Sequence, residues 1–433
     1  MKHFFLSRKT VLTLLTLIFI TVVLSYVIPQ RISVTQLTLN KWRDGHAPLL
    51  SAVDLLGLHT IFTSPWFAAI LGLFLISIIT SCVQQFAIAR QKTFPHAFAE
   101  AGNWLPVRCD RTAAGDTLKK LGYVQISHKD GITGFIRHPW GYWGNFLLHL
   151  GIVVVIASSL VILLTQQRGL LHMTKGEIID PGTSWDSEEH GLFTERLVLP
   201  SAITLVNSIA RFWETDDIRQ IESSLEFIKP DQSRDRVNLS INRPAWYHGM
   251  KIYQSHQAGR SFYLEFSDGN VGTMGHILLF QLPPSRDKAS YNEFQLSGMP
   301  FRIKGKYFTD AGKKSMVSND PLLVLRLYDK DSLLGELPLR IGESGPLGKY
   351  RVSLVRSGQW AGINFLVITG MPGIFLGFLI IIGGGLLHYF AIPRELIMKQ
   401  DGSMVNIQWR AARFAEFYGD EYEDLLTKFN REQ

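Results

Sequence analysis

Two histidines lie inside long apolar stretches, where an ionisable side chain is costly and marks a candidate functional site. His149 lies in "GNFLLHLGIVVVIASSL" and His388 in "IIIGGGLLHYF". Each imidazole nitrogen left unpaired in hydrocarbon costs on the order of a few kcal/mol. Two hypotheses explain His149: a hydrogen bond to a neighbouring helix, or axial ligation of haem iron, which accepts a neutral imidazole in an apolar pocket.

His388 and Cys82 are the remaining candidates in the apolar stretches. His388 is a weaker candidate for a haem ligand, either beside His149 in one chain or, alternatively, reaching the headgroups next to Tyr389. Cys82 suits either a redox role or a buried thiol. The sequence contains no CxxC pair, no HExxH and no nucleotide-binding glycine motif.

The elements that must position these residues are membrane helices. A spanning helix needs about 20 apolar residues, and four segments qualify, namely residues 11–28, 66–89, 141–165 and 371–392. Basic residues are frequent between the second and third segments and after the fourth, and rare between the first and second. The positive-inside rule therefore predicts cytoplasmic termini and a cytoplasmic second loop. These flanks also explain the net charge of +7, and no motif indicates nucleic-acid binding.

The pattern predicts a membrane protein of four transmembrane α-helices with a large extracytoplasmic, mainly β domain between helices 3 and 4. Short runs with β-branched or alternating character, such as "RVNLSIN" and "SFYLEF", favour β structure there. The predicted parts are 1–90 (helices 1 and 2), 91–140 (a small cytoplasmic loop domain), 141–165, 166–370 (the β-rich domain), 371–392 and 393–433 (a cytoplasmic amphipathic tail). Within the tail, residues 409–429 show roughly helical spacing and predict an amphipathic helix.

Four motifs resemble the ResB family of cytochrome c biogenesis proteins. They are "SPWFAAILGLFLISIITSCVQQFAIAR", "GNFLLHLGIVVVIASSL", "INRPAWYHGMKIYQSH" and "GMPGIFLGFLIIIGGGLLHYFAIPREL". Their order and spacing carry the resemblance more than any one of them does. In the second motif, His149 occupies the family's His-x-Gly position.

The resemblance implies a subunit of the System II cytochrome c synthase in the bacterial inner membrane, with the large domain in the periplasm. Such a complex exports haem b, as bound cofactor and transported substrate, and attaches it to apocytochrome c. The tryptophan-rich loop of the ResC or CcsA-type partner is absent from this sequence, so the chain would be a subunit that does not act alone. Trp246, Tyr247 and Tyr253 are candidates for a partner contact or for sheet structure. The alternatives are a membrane scaffold, or a sensor or adaptor with a β ligand-binding domain and no haem.

Overall fold

A computed structural model describes residues 2–34, 36–95, 104–129, 131–267, 273–296, 301–330, 332–401 and 404–431. The chain divides into two compact units. The helical unit comprises Met1–Gln30, Trp42–Leu164 and Thr369–Gln433, and the β unit comprises Arg31–Lys41 and Thr165–Ile368. The helices among the described residues are α1 (Lys2–Phe5), α2 (Arg8–Val27), α3 (Gln36–Gly45), α4 (Leu50–Leu55), α5 (Pro65–Thr93), α6 (Arg111–Lys120), α7 (Gly144–Thr165), α8 (Met371–Phe390) and α9 (Gly419–Arg431).

Four of these helices, α2, α5, α7 and α8, are long and apolar enough to cross a membrane. They contain 20, 29, 22 and 20 residues, which matches the length that a bilayer requires. The start of α5 is fixed by Ser64, whose hydroxyl accepts a hydrogen bond from the backbone N–H of Phe67 at 3.4 Å, and by Pro65 in the first turn. The expectation of four membrane helices is therefore confirmed.

The region between α7 and α8 is mainly β, as expected. The strands of the described chain are β1 (Leu105–Val107), β2 (Tyr123–Lys129), β3 (Ile132–Arg137), β4 (Gln167–Thr174), β5 (Ile178–Ile179), β6 (Ser187–His190), β7 (Ala202–Phe212), β8 (Ile218–Ile228), β9 (Arg234–Ser240), β10 (Ala245–Tyr247), β11 (Met250–Ser267), β12 (Thr273–Gln281), β13 (Ser290–Gln295), β14 (Arg302–Phe308), β15 (Leu322–Asp329), β16 (Ser332–Leu339), β17 (Ser344–Leu347), β18 (Tyr350–Val367), β19 (Arg394–Asp401) and β20 (Met404–Ala411).

Three antiparallel sheets build the β unit around two cores. The central sheet has the order β10-β11-β18-β4-β6, with β12 paired to β11 and β17 to β18. Sheets β5-β7-β8-β9 and β13-β14-β15-β16 supply the other strands. The long strands β11 and β18 contain 18 residues each and contribute to both cores: Ile252 packs in one and Phe262 in the other. The alternation of buried and exposed residues along these strands gives each sheet an apolar inner face.

A smaller sheet in the helical unit joins the loop before α7 to the tail after α8. Its order is β1-β20-β19-β3-β2, and α6 and α9 bury Leu118 and Leu425 in its core. The helix of the tail is shorter than expected, because it begins at Gly419 and Trp409 lies in β20. Val405 and Ile407 alternate towards the core, so strand pairing decides the local structure there.

One carboxylate holds α9 against this sheet. Glu421 accepts hydrogen bonds from the Tyr123 hydroxyl at 3.0 Å and from Arg137 Nη1 at 2.9 Å. Arg394, which is almost fully buried, contacts its other oxygen at 3.0 Å. Burial, together with the charge of Glu421, raises the pKa of Tyr123, so its hydroxyl stays protonated and donates.

Candidate ligand site around His149

The two nitrogens of the His149 imidazole have different environments. Its Nδ1 lies 2.8 Å from the carbonyl oxygen of Asn145, one helical turn earlier on α7. A carbonyl oxygen only accepts hydrogen bonds, so Nδ1 carries the proton and the neutral ring keeps its lone pair on Nε2. Nothing in the described part of the chain hydrogen-bonds to Nε2. Metal-binding histidines often have their second nitrogen fixed by a backbone carbonyl in the same way.

Asn145 also links α7 to α5. Its side-chain Nδ2 donates to Gln85 Oε1 at 2.7 Å, and the two helices run antiparallel, because Ile78 of α5 packs in one cluster with Ile152 of α7. His149 lies four residues after Asn145, so its turn of α7 is level with Ser81 and Cys82 on α5. The polar groups of this region therefore lie on the α5 side of α7.

Three aromatic rings near the start of α7, called the aromatic border below, lie beside this region. Phe86, Trp143 and Phe146 have ring centroids 5.4 to 5.8 Å apart and meet edge to face. The indole Nε1 of Trp143 is buried and makes no hydrogen bond with described residues. The chemistry of these groups, apolar rings and one unpaired indole N–H, is the kind that suits a flat apolar ligand with peripheral acceptors, such as a porphyrin with its propionates.

The opposite side of α7 is closed by α8. Gly144 packs against the backbone of His388 and Gly384, and Gly151 packs against Gly377. Backbone contact leaves no space for a ligand between the two helices. His149 follows Gly144 by five residues and is therefore turned about 140° around α7, away from this contact.

The structure does not bring His388 to His149. His388 lies beside Gly144, so His149 is about 7.5 Å further along α7 and on another face. Arg413 Nη1 lies 2.8 Å from His388 Nδ1, and Arg413 Nη2 donates to the His388 carbonyl oxygen at 2.7 Å. A guanidinium only donates, so Nδ1 accepts and the neutral ring carries its proton on Nε2. This tautomer has no lone pair for a metal while the contact with Arg413 persists.

The comparison with known sequences identifies the family. The sequence model of the ResB-like family matches residues 8–339, which is most of the chain. The chain belongs to the ResB-like family. The resemblance inferred from the four motifs is therefore confirmed.

Curated relatives of this ResB-like chain are named "Cytochrome c biogenesis protein CcsB". The protein of Gloeobacter violaceus is 22% identical over 368 residues, covering 81% of this chain and 73% of the relative. The protein of Picosynechococcus sp. is 23% identical over 349 residues, with 77% and 70% covered. The protein of Microcystis aeruginosa is 23% identical over 393 residues, with 86% and 82% covered.

The other predicted site residues of this ResB-like chain have separate environments. Cys82 is a buried free thiol in α5. Trp246 is 66% exposed on the short edge strand β10. Lys251 Nζ lies over the ring of Trp246 and over the ring of Tyr253. Tyr247 stacks on Phe227 with ring centroids 3.8 Å apart and hydrogen-bonds to a carboxylate, so it supports the sheet. His149 and Cys82 belong to the helical unit, whereas Trp246, Tyr247 and Tyr253 belong to the β unit.

Three residues of the site were missed by the sequence analysis. Asn145 precedes His149 by four residues, and this spacing predicts that its carbonyl lies below the ring. Gln85 is a polar residue near the end of an apolar segment, which is a weak signal for a contact between helices. Arg413 gave no signal, because only the fold of the tail brings it back to α8. Among the described residues, no group of three or more His, Cys, Asp or Glu side chains that could hold a metal ion occurs.

Proposed function

We propose that this chain acts in cytochrome c biogenesis as the haem-handling subunit of a membrane complex that exports haem and delivers it to apocytochrome c. Membership of the ResB-like family and the name shared by its curated relatives support the biological process. The observation that carries the haem role is the imidazole of His149, whose Nδ1 is fixed by Asn145 while its Nε2 is free for iron. Haem is the cargo, and its iron would take that nitrogen as an axial ligand.

The second axial ligand comes from a ResC or CcsA-type partner in this proposal. His388 is engaged by Arg413 and faces another direction, so a ligand pair within one chain is disfavoured. The residues of this chain then have three tasks: His149 binds, Asn145 orients the imidazole, and the aromatic border excludes water from one side. The chain is accordingly a non-autonomous subunit of the synthase.

The positive-inside rule gives the orientation in this proposal. The small sheet of the helical unit would lie in the cytoplasm and the β unit in the periplasm of a bacterial inner membrane. Haem would then approach His149 from the cytoplasmic side and leave towards the β unit. The β unit is the part available to apocytochrome c.

The test is the absorption spectrum of the complex co-purified with its partner. The wild-type complex should show a haem Soret band, and His149→Gly should lower the haem content by roughly tenfold or more, because one axial ligand is lost. Added imidazole should restore the band, since it can occupy the space of the missing side chain. His388→Gly is the matched control and should retain haem.

Two results would contradict the proposal. If the wild-type complex contains no haem while it supports cytochrome c maturation, the scaffold alternative is correct. If His149→Gly retains all its haem and His388→Gly loses it, the roles of the two histidines are reversed. A sensor or adaptor function has no specific observation in its favour.

A further inference from the structure

The β unit contains a cavity of about 610 Å³ that the proposed function does not use. Its volume is within the range of ligand pockets, about 300–1,000 Å³. Residues of the motif "INRPAWYHGMKIYQSH" meet there, including Asn242, Pro244, Tyr253 and Gln254. Residues Ile32 and Ser33, which precede α3, and the first residues of β4 complete the lining.

An irregularity in β11 shapes this cavity. The pairing of β11 with β18 passes from Gln254↔Ile363 to Ala258↔Ala361, so β11 has two extra residues at this point. Such bulges bend a strand and turn its side chains in new directions, and they are frequent beside binding sites. Here the bulge places Ser255, His256 and Gln257 in the wall of the cavity.

Two polar groups of opposite type lack partners in the wall. Gln254 is only 8% exposed, and its Nε2 donates to the Ser255 carbonyl at 3.0 Å, which fixes the amide orientation. Its Oε1 is buried and makes no hydrogen bond with any described residue. Arg168 has a buried Nε without a partner among the described residues. A buried polar group left unsatisfied is costly, so a ligand that pairs with both groups is strongly favoured.

The charge of the wall is positive. Arg168 lines the cavity, and no described lining residue is acidic. An anionic oxygen therefore suits Arg168, in the geometry that guanidinium groups offer to carboxylates. Gln254 Oε1, by contrast, requires a donor. A haem propionate would satisfy only the arginine, whereas a polypeptide supplies N–H donors together with carbonyl or carboxylate oxygens.

We propose that this cavity binds a segment of polypeptide through a peptide N–H to Gln254 and a carboxylate to Arg168, and that the segment belongs to the apocytochrome that receives haem. The identity of the polypeptide rests on the proposed function. Arg168 follows the end of α7 at Thr165 by three residues, so it lies within about 11 Å of that helix end. Along the chain, two residues separate Arg168 from the end of the helix that carries His149.

The first experiment measures protection of a cysteine in the full-length protein. Ser33 is exposed at the cavity, and both native cysteines, Cys82 and Cys109, are buried. Ser33→Cys should react with a maleimide, and an apocytochrome c polypeptide with its haem-attachment cysteines replaced by serine should slow the reaction roughly tenfold at saturation, in proportion to occupancy. Ser184→Cys, exposed outside the lining, is the matched control and should react at an unchanged rate.

The second experiment measures the affinity of the same polypeptide for purified variants. Arg168→Gln and Gln254→Leu should each weaken binding roughly ten- to hundredfold, as expected for the loss of one buried hydrogen bond, charge-assisted in the first case. Arg211→Gln removes an exposed arginine of β7 that does not line the cavity and should bind like wild type. The Soret band of each complex is recorded in parallel.

Each outcome decides between the two proposals. If Ser33→Cys is not protected, or if both cavity variants bind like wild type, the polypeptide site is wrong even when the haem spectrum is normal. If an extracytoplasmic segment of the membrane partner protects Ser33→Cys and the apocytochrome does not, the assigned occupant is wrong. If the polypeptide binds but the wild-type complex contains no haem, the haem proposal fails and the polypeptide site stands.

Discussion

The contact between α7 and α8 predicts that three adjacent glycines respond differently to alanine. A Cβ atom on Gly384 would lie 2.7 Å from the backbone nitrogen of Leu148 and 2.9 Å from the carbonyl oxygen of Gly144. A Cβ atom on Gly383 or Gly385 would meet no heavy atom within 4 Å. Helix backbone cannot rotate away, and non-bonded carbon atoms pack at about 3.5 Å or more. Gly384→Ala therefore requires the helices to separate by about 0.8 Å.

This separation weakens an interface that depends on close approach. In a membrane, helices associate largely through the packing of small residues, and forcing extra volume into a packed contact costs about 1–3 kcal/mol. We expect Gly384→Ala to lower the free energy of unfolding by about 2 kcal/mol. Gly383→Ala and Gly385→Ala should leave it unchanged or raise it by up to about 1 kcal/mol, because alanine is the better helix former.

The assay is reversible unfolding of the full-length protein in mixed micelles, followed by tryptophan fluorescence as the fraction of denaturing detergent rises. Gly144→Ala provides a second test, because its Cβ would lie 2.5 Å from the backbone nitrogen of His388 in the same interface. The double variant with Gly384→Ala should lose less than the sum of the two single losses, since one separation accommodates both. Equal stability of the three variants at 383, 384 and 385 would refute the described packing.

Three further changes test other parts of the structure. Glu421→Gln should detach α9 and lower the stability of the small sheet by about 2 kcal/mol, because two arginines lose their carboxylate; hydrogen exchange of the α9 amides should rise. Arg413→Gln should release His388 and increase proteolysis of the tail, whereas Arg413→Lys should show an intermediate effect. Burial opposes the charged imidazole of His172, but its side-chain hydrogen bonds, chiefly to Asp186, outweigh burial and raise its pKa. This stabilisation is complete below the unfolded-state pKa of about 6.5 and is lost as pH rises through the higher folded-state pKa. Thermal unfolding of the β unit should therefore occur at lower temperature on the alkaline side, and His172→Gln should remove that dependence.

The membrane helices follow from the sequence because the bilayer imposes a length and a composition on each of them. The β structure of the segment between helices 3 and 4 is also predictable from the sequence, since alternating and β-branched runs separated by turn residues typically form strands. The glycines of "IIIGGGLLHYF" indicate close helix contact, yet the sequence does not say which of them makes it. Of the three glycines 383, 384 and 385, only Gly384 faces α7, because successive residues of a helix point about 100° apart.

The tail shows where local pattern was insufficient. Residues 409–429 have apolar spacing that suits a helix, but Trp409 continues the two-residue alternation of Val405 and Ile407. β19 pairs with β3, so that Arg394 lies opposite Arg137, more than 250 positions earlier. Such pairing depends on a partner that no window of local sequence contains. The alternation within β20 was the signal that could have predicted a strand.

The two membrane histidines show why residue type alone does not define a ligand. Both are imidazoles near the end of an apolar helix, and the sequence does not show which groups their nitrogens contact. Their hydrogen bonds differ in direction: His149 Nδ1 donates to a carbonyl oxygen, whereas His388 Nδ1 accepts from a guanidinium. The first arrangement leaves a lone pair on Nε2 and the second leaves a proton there. The tautomer of each ring therefore depends on the Asn145 carbonyl oxygen or on the Arg413 guanidinium, and the proposed function uses the lone pair that the first contact leaves on His149 Nε2.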